Sequence, residues 1–284
     1  MSGWRCLLAS APVALFALGP VDRLPGQVPG DLARERSDWE AWLRTAPTSP
    51  FAVVAQTPIG SGVTLGPADA DVPLAGVALA RVTEAAEAVY LQMGSDRRTL
   101  VRNRGTPLGA YTLRLSGPPR QTVLAVYGKP AGARAPTYFP YDSSMVFTVS
   151  LHPPARPGPQ RLLTLEGVVV EAVAAGSVVV PLALGSQSLQ VMRIPDLESD
   201  ESDLMIYFRD ETNGEGSYPA GRFVSLIPVG GGSYQLDFNR ARNPFCAYST
   251  VYACPAPWPG NAIAAPVRAG EQYHAGATPP APHP

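Results

Sequence analysis

A chain of 284 residues, 45 % of them hydrophobic, can fill one large β-domain or two small ones, and a single domain is the simpler reading. Its 32 prolines and 27 glycines cut it into short elements joined by turns, which excludes a body of long helices. The net charge of −1, with no basic block, lacks the electrostatic footprint of a nucleic-acid binder, so no nucleic-acid partner is expected.

In chain order, a leader comes first. Arg5 precedes a mostly apolar run from Cys6 to Leu18 that closes on Gly19-Pro20, the pattern of a signal peptide. The run is shorter than the about 20 residues of a membrane-spanning helix and is interrupted by Pro12. Residues 1–30 are therefore read as signal peptide and flexible start, the product as exported (periplasmic or secreted), and the mature chain as lacking a transmembrane span. Residues 31–46 predict one amphipathic helix, because Leu32, Trp39, Trp42 and Leu43 recur near helical spacing among Arg34, Glu35, Arg36, Asp38 and Glu40. Its tryptophans are expected to pack on the β-body, as aromatic stripes at this spacing usually do.

Residues 70–274 are read as a β-domain. Runs rich in Val, Leu, Thr and Tyr predict strands at Val77–Val82, Ala88–Met93, Tyr111–Leu115, Thr122–Tyr127, Met145–Leu151, Leu162–Val170, Val178–Leu184 and Leu189–Ile194. Tyr111-Thr112-Leu113-Arg114-Leu115 alternates as a half-buried antiparallel strand does. The Pro-rich spacers Lys129–Pro140 and His152–Pro159 are expected to be surface loops. With many strands and almost no helix between them, the fold class is mainly β: a single antiparallel β-barrel or β-sandwich behind one N-terminal helix. The tail, residues 275–284, is Pro/Ala-rich and is expected to be disordered.

The region from 204 to 273 carries the most specific pattern. Three strands are implied there, the last after a Gly230-Gly231-Gly232 turn, with Tyr234, Leu236 and Phe238 alternating with Gln235, Asp237 and Asn239. An ordered set of residues runs through it: Arg209-Asp210-x-Thr212-x-Gly214, Tyr218, Gly221-Arg222, Leu236-Asp237-Phe238-Asn239, Asn243-Pro244-x-Cys246-Ala247-Tyr248, Cys254-Pro255, Asn261 and Ala269-Gly270-Glu271. This set resembles a bacterial family called domain of unknown function 1684. The resemblance implies a mainly β-fold with an N-terminal helix and brings no established reaction. The chain departs from the family pattern at Arg242, where an aromatic residue is favoured, and at Gly260 before Asn261, where an acid is usual.

Cys246 and Cys254 are the only cysteines left after leader cleavage, and an oxidising compartment would bond them. Zinc is the rival reading, against which stand seven intervening residues and only His274 nearby. Two free structural thiols are the third. Arg209, Asp210, Tyr218, Arg222, Asp237, Asn239, Asn243, Tyr248, Asn261 and Glu271 are candidate ligand-binding residues if they converge on one pocket. Their competing reading is structural, since Asp and Asn beside turns hydrogen-bond their own backbone and Arg-Asp pairs join adjacent strands. The acidic stretch Asp196, Glu198, Asp200, Glu201 and Asp203 puts Glu201 where an EF-hand needs Gly, so a solvated loop is expected. No metal or other cofactor is expected.

The leading functional expectation is a non-catalytic exported domain that binds a small polar molecule or an envelope component. A hydrolase using Asp210, Asp237 or Glu271 as general acid or base is the first alternative. A structural or protein-interaction domain of the cell envelope is the second.

Overall fold

Short apolar runs punctuated by glycine and proline can bury their faces only by pairing edge to edge, and that is what the chain does. The protein's computed structural model describes residues 27–154, 158–165, 167, 169–195, 202–255, 258 and 260–274. The expected leader up to residue 26, residues 196–201 of the acidic stretch and the tail 275–284 lie outside them.

Helix α1 (Gly30–Thr45) buries Leu32, Trp39 and Leu43 along one face. It stops where Pro47 pushes Ala46 out of the helical region into extended backbone at φ −69°, ψ 134°. Nine strands follow: β1 (Val53–Pro58), β2 (Val63–Gly66), β3 (Val72–Pro73), β4 (Ala80–Ala85), β5 (Ala88–Met93), β6 (Asp96–Leu100), β7 (Thr106–Leu108), β8 (Tyr111–Ser116) and β9 (Val123–Tyr127). They form a four-stranded sheet ordered β1-β9-β8-β7 and a five-stranded sheet ordered β3-β2-β4-β5-β6. Leu65, Val82, Leu91 and Leu100 of one sheet share a core with Leu113, Leu115, Leu124 and Val126 of the other, so this half is a sandwich.

Seven more strands make a third sheet: β10 (Val146–Ser150), β11 (Pro159–Leu163), β12 (Val169–Leu182), β13 (Gly185–Pro195), β14 (Ser202–Phe208), β15 (Arg222–Gly230) and β16 (Ser233–Asp237), in the order β10-β16-β15-β14-β13-β12-β11. All its pairings are antiparallel. The sheet curls until His152 and Ser177 exchange backbone hydrogen bonds of 2.8 and 3.0 Å, short of a closed barrel. A bulge between Ala174 and Gly176 moves β12's apolar residues from one face to the other. Val170 and Ala172 therefore pack with Tyr207, Phe223 and Trp258, whereas Val178 and Val180 pack with Ile206, Phe208 and Phe238.

The mainly β, antiparallel, helix-first reading holds, with sandwich-like sheets and no closed barrel. Four local expectations need correction. Leu162–Val170 is not one strand, because a turn closed by Gly167 N–H on the Thr164 carbonyl, with Gly167 at φ +64°, separates β11 from β12. Val178–Leu184 is the end of a much longer strand that turns back after Leu182. The third motif strand stops at Asp237, whose carboxylate accepts from Asn239 N–H and winds Phe238–Arg240 into a 3₁₀ turn. The Lys129–Pro140 spacer also dips inward: Phe139 is buried and Tyr138 bridges to Glu271. Among the described residues no helix is long and apolar enough to cross a membrane.

Candidate functional site

After β16 the chain runs to residue 274 almost without regular structure, yet much of it is buried, so its peptide groups need partners that no ladder supplies. The polar residues of the 204–273 pattern are those partners. Asn261, wholly buried, accepts from Gln190 N–H at 2.7 Å and donates to the Gln190 and Tyr207 carbonyls, each at 3.0 Å. Its amide thus does for β13 and β14 what a neighbouring strand would. Asn239 treats Asp142 in the same way, accepting from its N–H at 2.9 Å and donating to its carbonyl at 2.8 Å.

Arg222, at the start of β15, has no solvent exposure. It donates to the carbonyls of Ala269, Val267 and Glu271, three groups of the returning coil, and pairs at 2.8 Å with Asp210. Burial presses its pKa below the usual arginine value, and the Asp210 charge opposes that shift. The rings of Phe208 and Phe139 lie 5.3 and 5.7 Å from its guanidinium. Asp210 in turn accepts from Thr212 N–H, Thr212 Oγ1 and Val267 N–H, closing its own turn and holding the coil.

Glu271 is the second buried charge. One carboxylate oxygen accepts from Trp39 Nε1 at 2.8 Å; the other accepts from Asn243 N–H at 2.9 Å and the Tyr248 hydroxyl at 2.5 Å. Burial raises its pKa, while the hydrogen bonds from Tyr248, Asn243 and Trp39 and the charge of Arg242 pull the other way. The Tyr248 hydroxyl is pushed well above the usual phenol value, first by burial and then by the Glu271 charge. Trp39 stacks on Trp42 with ring centroids 5.0 Å apart and packs near Phe245 and Tyr248, as expected of a helix docked on the β-body. Its indole N–H reaching Glu271 was not legible in the helical stripe. Gly270, just before, sits at φ +79°, where a Cβ would lie 2.7 Å from the carbonyl oxygens of both Ala241 and Phe238. Only glycine lets the coil pass there.

Cys246 and Cys254 form a disulfide. The Tyr218 hydroxyl donates to the Cys246 carbonyl at 3.2 Å and lies 3.3 Å from Cys254 Sγ. Asp237, besides holding Asn239, is 3.4 Å from Arg240, which also pairs with Asp31 and Glu35 of α1. Eight of the ten candidates therefore belong to one connected corner. Asn261 instead ties the coil to β13 and β14, and Arg209, exposed at the side chain, meets it only through its backbone, whose N–H bonds the Asn261 carbonyl at 3.0 Å.

A concave site opens on this corner. A cleft of about 180 Å³ is lined by Phe51, Arg134, Ala135, Pro136, Thr137, Asn243, Ala247, Tyr248, Gln272, Tyr273 and His274. Asn243 and Tyr248 are the two candidates it contains, and both are fixed from behind by Glu271. The Asn243 amide nitrogen donates to the Gln272 carbonyl at 3.1 Å, while its Oδ1 is solvent-inaccessible and has no donor among the described residues. Phe51, Arg134, Thr137, Gln272 and Tyr273 went unread in the sequence, because they lie outside the quoted pattern on segments with no periodicity, and His274 was weighed there only as a zinc ligand. A shallower cleft of about 510 Å³ lies along α1, between Asp31, Arg34, Glu35, Asp38, Trp39 and Trp42, with Arg242 stacked 4.5 Å above Trp39. None of Asp210, Asp237 and Glu271 is among the residues lining either cleft.

Residues 134–272 match the family described as Protein of unknown function (DUF1684). No curated protein matches the chain. Among solved structures, the solution NMR structure of an uncharacterized protein of Haloarcula marismortui is 32 % identical, covering 49 % of this chain and 76 % of its own, with a TM-score of 0.42.

Proposed function

We propose, from the premise that the chain belongs to the DUF1684 family through residues 134–272, that this protein is an exported, non-catalytic binding domain for a small polar molecule. The observation that carries the reading is the division of labour at the corner. The buried polar residues use most of their hydrogen-bonding atoms on one another and on the backbone of the coil and its neighbouring strands, and the cleft beside them is concave and lined by aromatic and polar residues. Its about 180 Å³ is smaller than the pockets that hold drug-sized ligands, which favours a small occupant. Export is supported by the leader-like first 20 residues and by the disulfide, which suits an oxidising compartment.

The hydrolase alternative has less support. Acid–base work needs carboxyl groups within reach of a substrate, and neither Asp210 nor Glu271 is among the residues lining either cleft: Asp210 is taken by Arg222, Thr212 and Val267, and Glu271 sits behind the Asn243, Tyr248 and Trp39 groups that donate to it.

A fragment library screened by ligand-observed NMR on the full chain tests the binding reading. Ala135 is exposed on the cleft wall, so Ala135→Trp fills the space without touching the buried network. Hits that bind the parent and vanish with Ala135→Trp are the expected outcome. A screen without hits, or hits indifferent to the tryptophan, contradicts it.

A further inference from the structure

We propose that the tip of the β12–β13 hairpin is a membrane-binding element that seats in the interfacial layer of a lipid bilayer, independently of what the cleft holds. The two strands pair as far as Leu182 and Gly185, so Ala183 and Leu184 form a two-residue loop at the hairpin end. Such loops favour Asn, Asp and Gly, which suit both the turn and water. Here both residues are aliphatic and exposed, and Leu184, at 76 %, is the most exposed large apolar side chain among the described residues. Beside it the outward face of β12 carries Val179, 45 % exposed, and the exposed Pro181, opposite Ser188 and Ser186 of β13. The inward face holds this tip out from the body: Val178, Val180 and Leu189 have no exposure and belong to the core, and Leu182 packs against it. The hairpin is thus anchored at its base and apolar at its free end.

Charge and size select the occupant. Between Glu171 and Arg193 the chain has no Asp, Glu, Lys, Arg or His, so nothing on the hairpin opposes transfer toward hydrocarbon, where an ionised side chain is costly. A stable protein–protein interface uses roughly 20 to 30 residues a side, far more than this tip presents. A bilayer needs no matching outline; it accepts a projecting apolar loop, with a strength set by the apolar area inserted. Val179, Pro181, Ala183 and Leu184 supply that area, and Ser186 and Ser188 are uncharged partners for the headgroup layer. One such tip gives weak, reversible attachment, and it requires no anionic lipid.

Flotation of the full chain with phosphatidylcholine vesicles, with and without phosphatidylglycerol, tests the proposal. Partition is expected to be similar for both compositions and similar at about 0.1 M and about 1 M salt, because the tip has no charge to screen. Leu184→Asn should lower the partition coefficient roughly tenfold, and Leu184→Trp should raise it. Leu184 does not have positive φ, so asparagine fits the turn, and an unchanged thermal unfolding midpoint verifies that the variant folds. Paramagnetic headgroup lipid in phosphatidylcholine bicelles should broaden the amides of residues 181–187 beyond those of the rest of the β-body, which locates the contact without any substitution and separates it from the apolar run at residues 6–18. Absence of broadening at the tip, or partition indifferent to Leu184→Asn, overturns the proposal. So does partition that needs phosphatidylglycerol and is lost at high salt. A concentration-dependent dimer that Leu184→Asn dissolves, without vesicle binding, assigns the tip to a second copy of the chain and overturns it too.

Discussion

Glu271 sets two physical tendencies against each other. Removal from water favours the neutral acid, while three donors, two of them N–H groups that cannot accept, favour two acceptor oxygens. Desolvation wins, so the folded protein holds this proton more tightly than the unfolded chain does. The group's contribution to stability is then greatest near and below the ordinary carboxyl range, about pH 4, and declines as pH rises through the folded value. A glutamine at 271 cannot titrate, and its single carbonyl leaves Trp39 Nε1 or Asn243 N–H without an acceptor. Glu271→Gln should cost about 1 to 3 kcal/mol in denaturant unfolding. The stability gap between parent and variant should narrow as pH rises from 4 toward neutrality; a gap that widens would mean that the donors, not burial, control the proton. At this scale the sequence was partly legible. Asp210-x-Thr212 and Asp237-x-Asn239 are turn patterns whose side chains close on their own backbone, as that residue chemistry suggests. The partnership of Trp39 with Glu271 spans 232 positions and leaves no local mark.

At the scale of elements, β-alternation was the reliable signal and strand ends were not. Ala88–Met93 was read with its observed bounds, and Tyr111–Leu115 fell one residue short of β8. β1, β2, β3, β6 and β7 were missed: β2, β3 and β7 are only two to four residues long, and the VVAQTP of β1 and DRRTL of β6 do not alternate apolar with polar residues. The β12–β13 hairpin was split because its bulge breaks the parity that a strand search follows. That bulge depends on Gly176, at φ +147°, where a Cβ would stand 2.0 Å from the His152 carbonyl oxygen. Gly185, at φ +120° with nothing within 4 Å, shares the unusual backbone without the neighbour. Gly185→Ala should cost about 1 kcal/mol from the backbone alone, and Gly176→Ala about 2 kcal/mol or more, because it also pushes β10 away from β12. Equal losses in thermal or denaturant unfolding would show that the His152–Ser177 bridge does not constrain the curl of the sheet.

Across the whole molecule, one irregular segment joins parts that sheets alone do not connect. Trp39 and Leu43 of α1, Ala125 and Tyr127 of the sandwich half, and Phe245, Cys246 and Tyr252 of the coil share one cluster. The coil can occupy the interior because Arg222, Asn239, Asn261 and Glu271 satisfy peptide groups that would otherwise be left unpaired. The mainly β class, the leading helix and the dense region after residue 204 were readable from periodicity and pattern. The cleft was not, because it lies where the Arg134–Thr137 loop meets the coil, and only tertiary contacts bring those segments together.

The most direct measurement of this locked corner is native-state hydrogen exchange at the amides of Phe223, Asn239, Arg242, Asn243 and Glu271, each of which donates to a partner within the corner. If the corner is a rigid part of the core, these amides exchange only through global unfolding, with the same opening free energy as the Ile206 and Val224 amides in the centre of the sheet. Exchange through a local opening several kcal/mol easier than global unfolding would contradict it, leaving the cleft without a fixed wall.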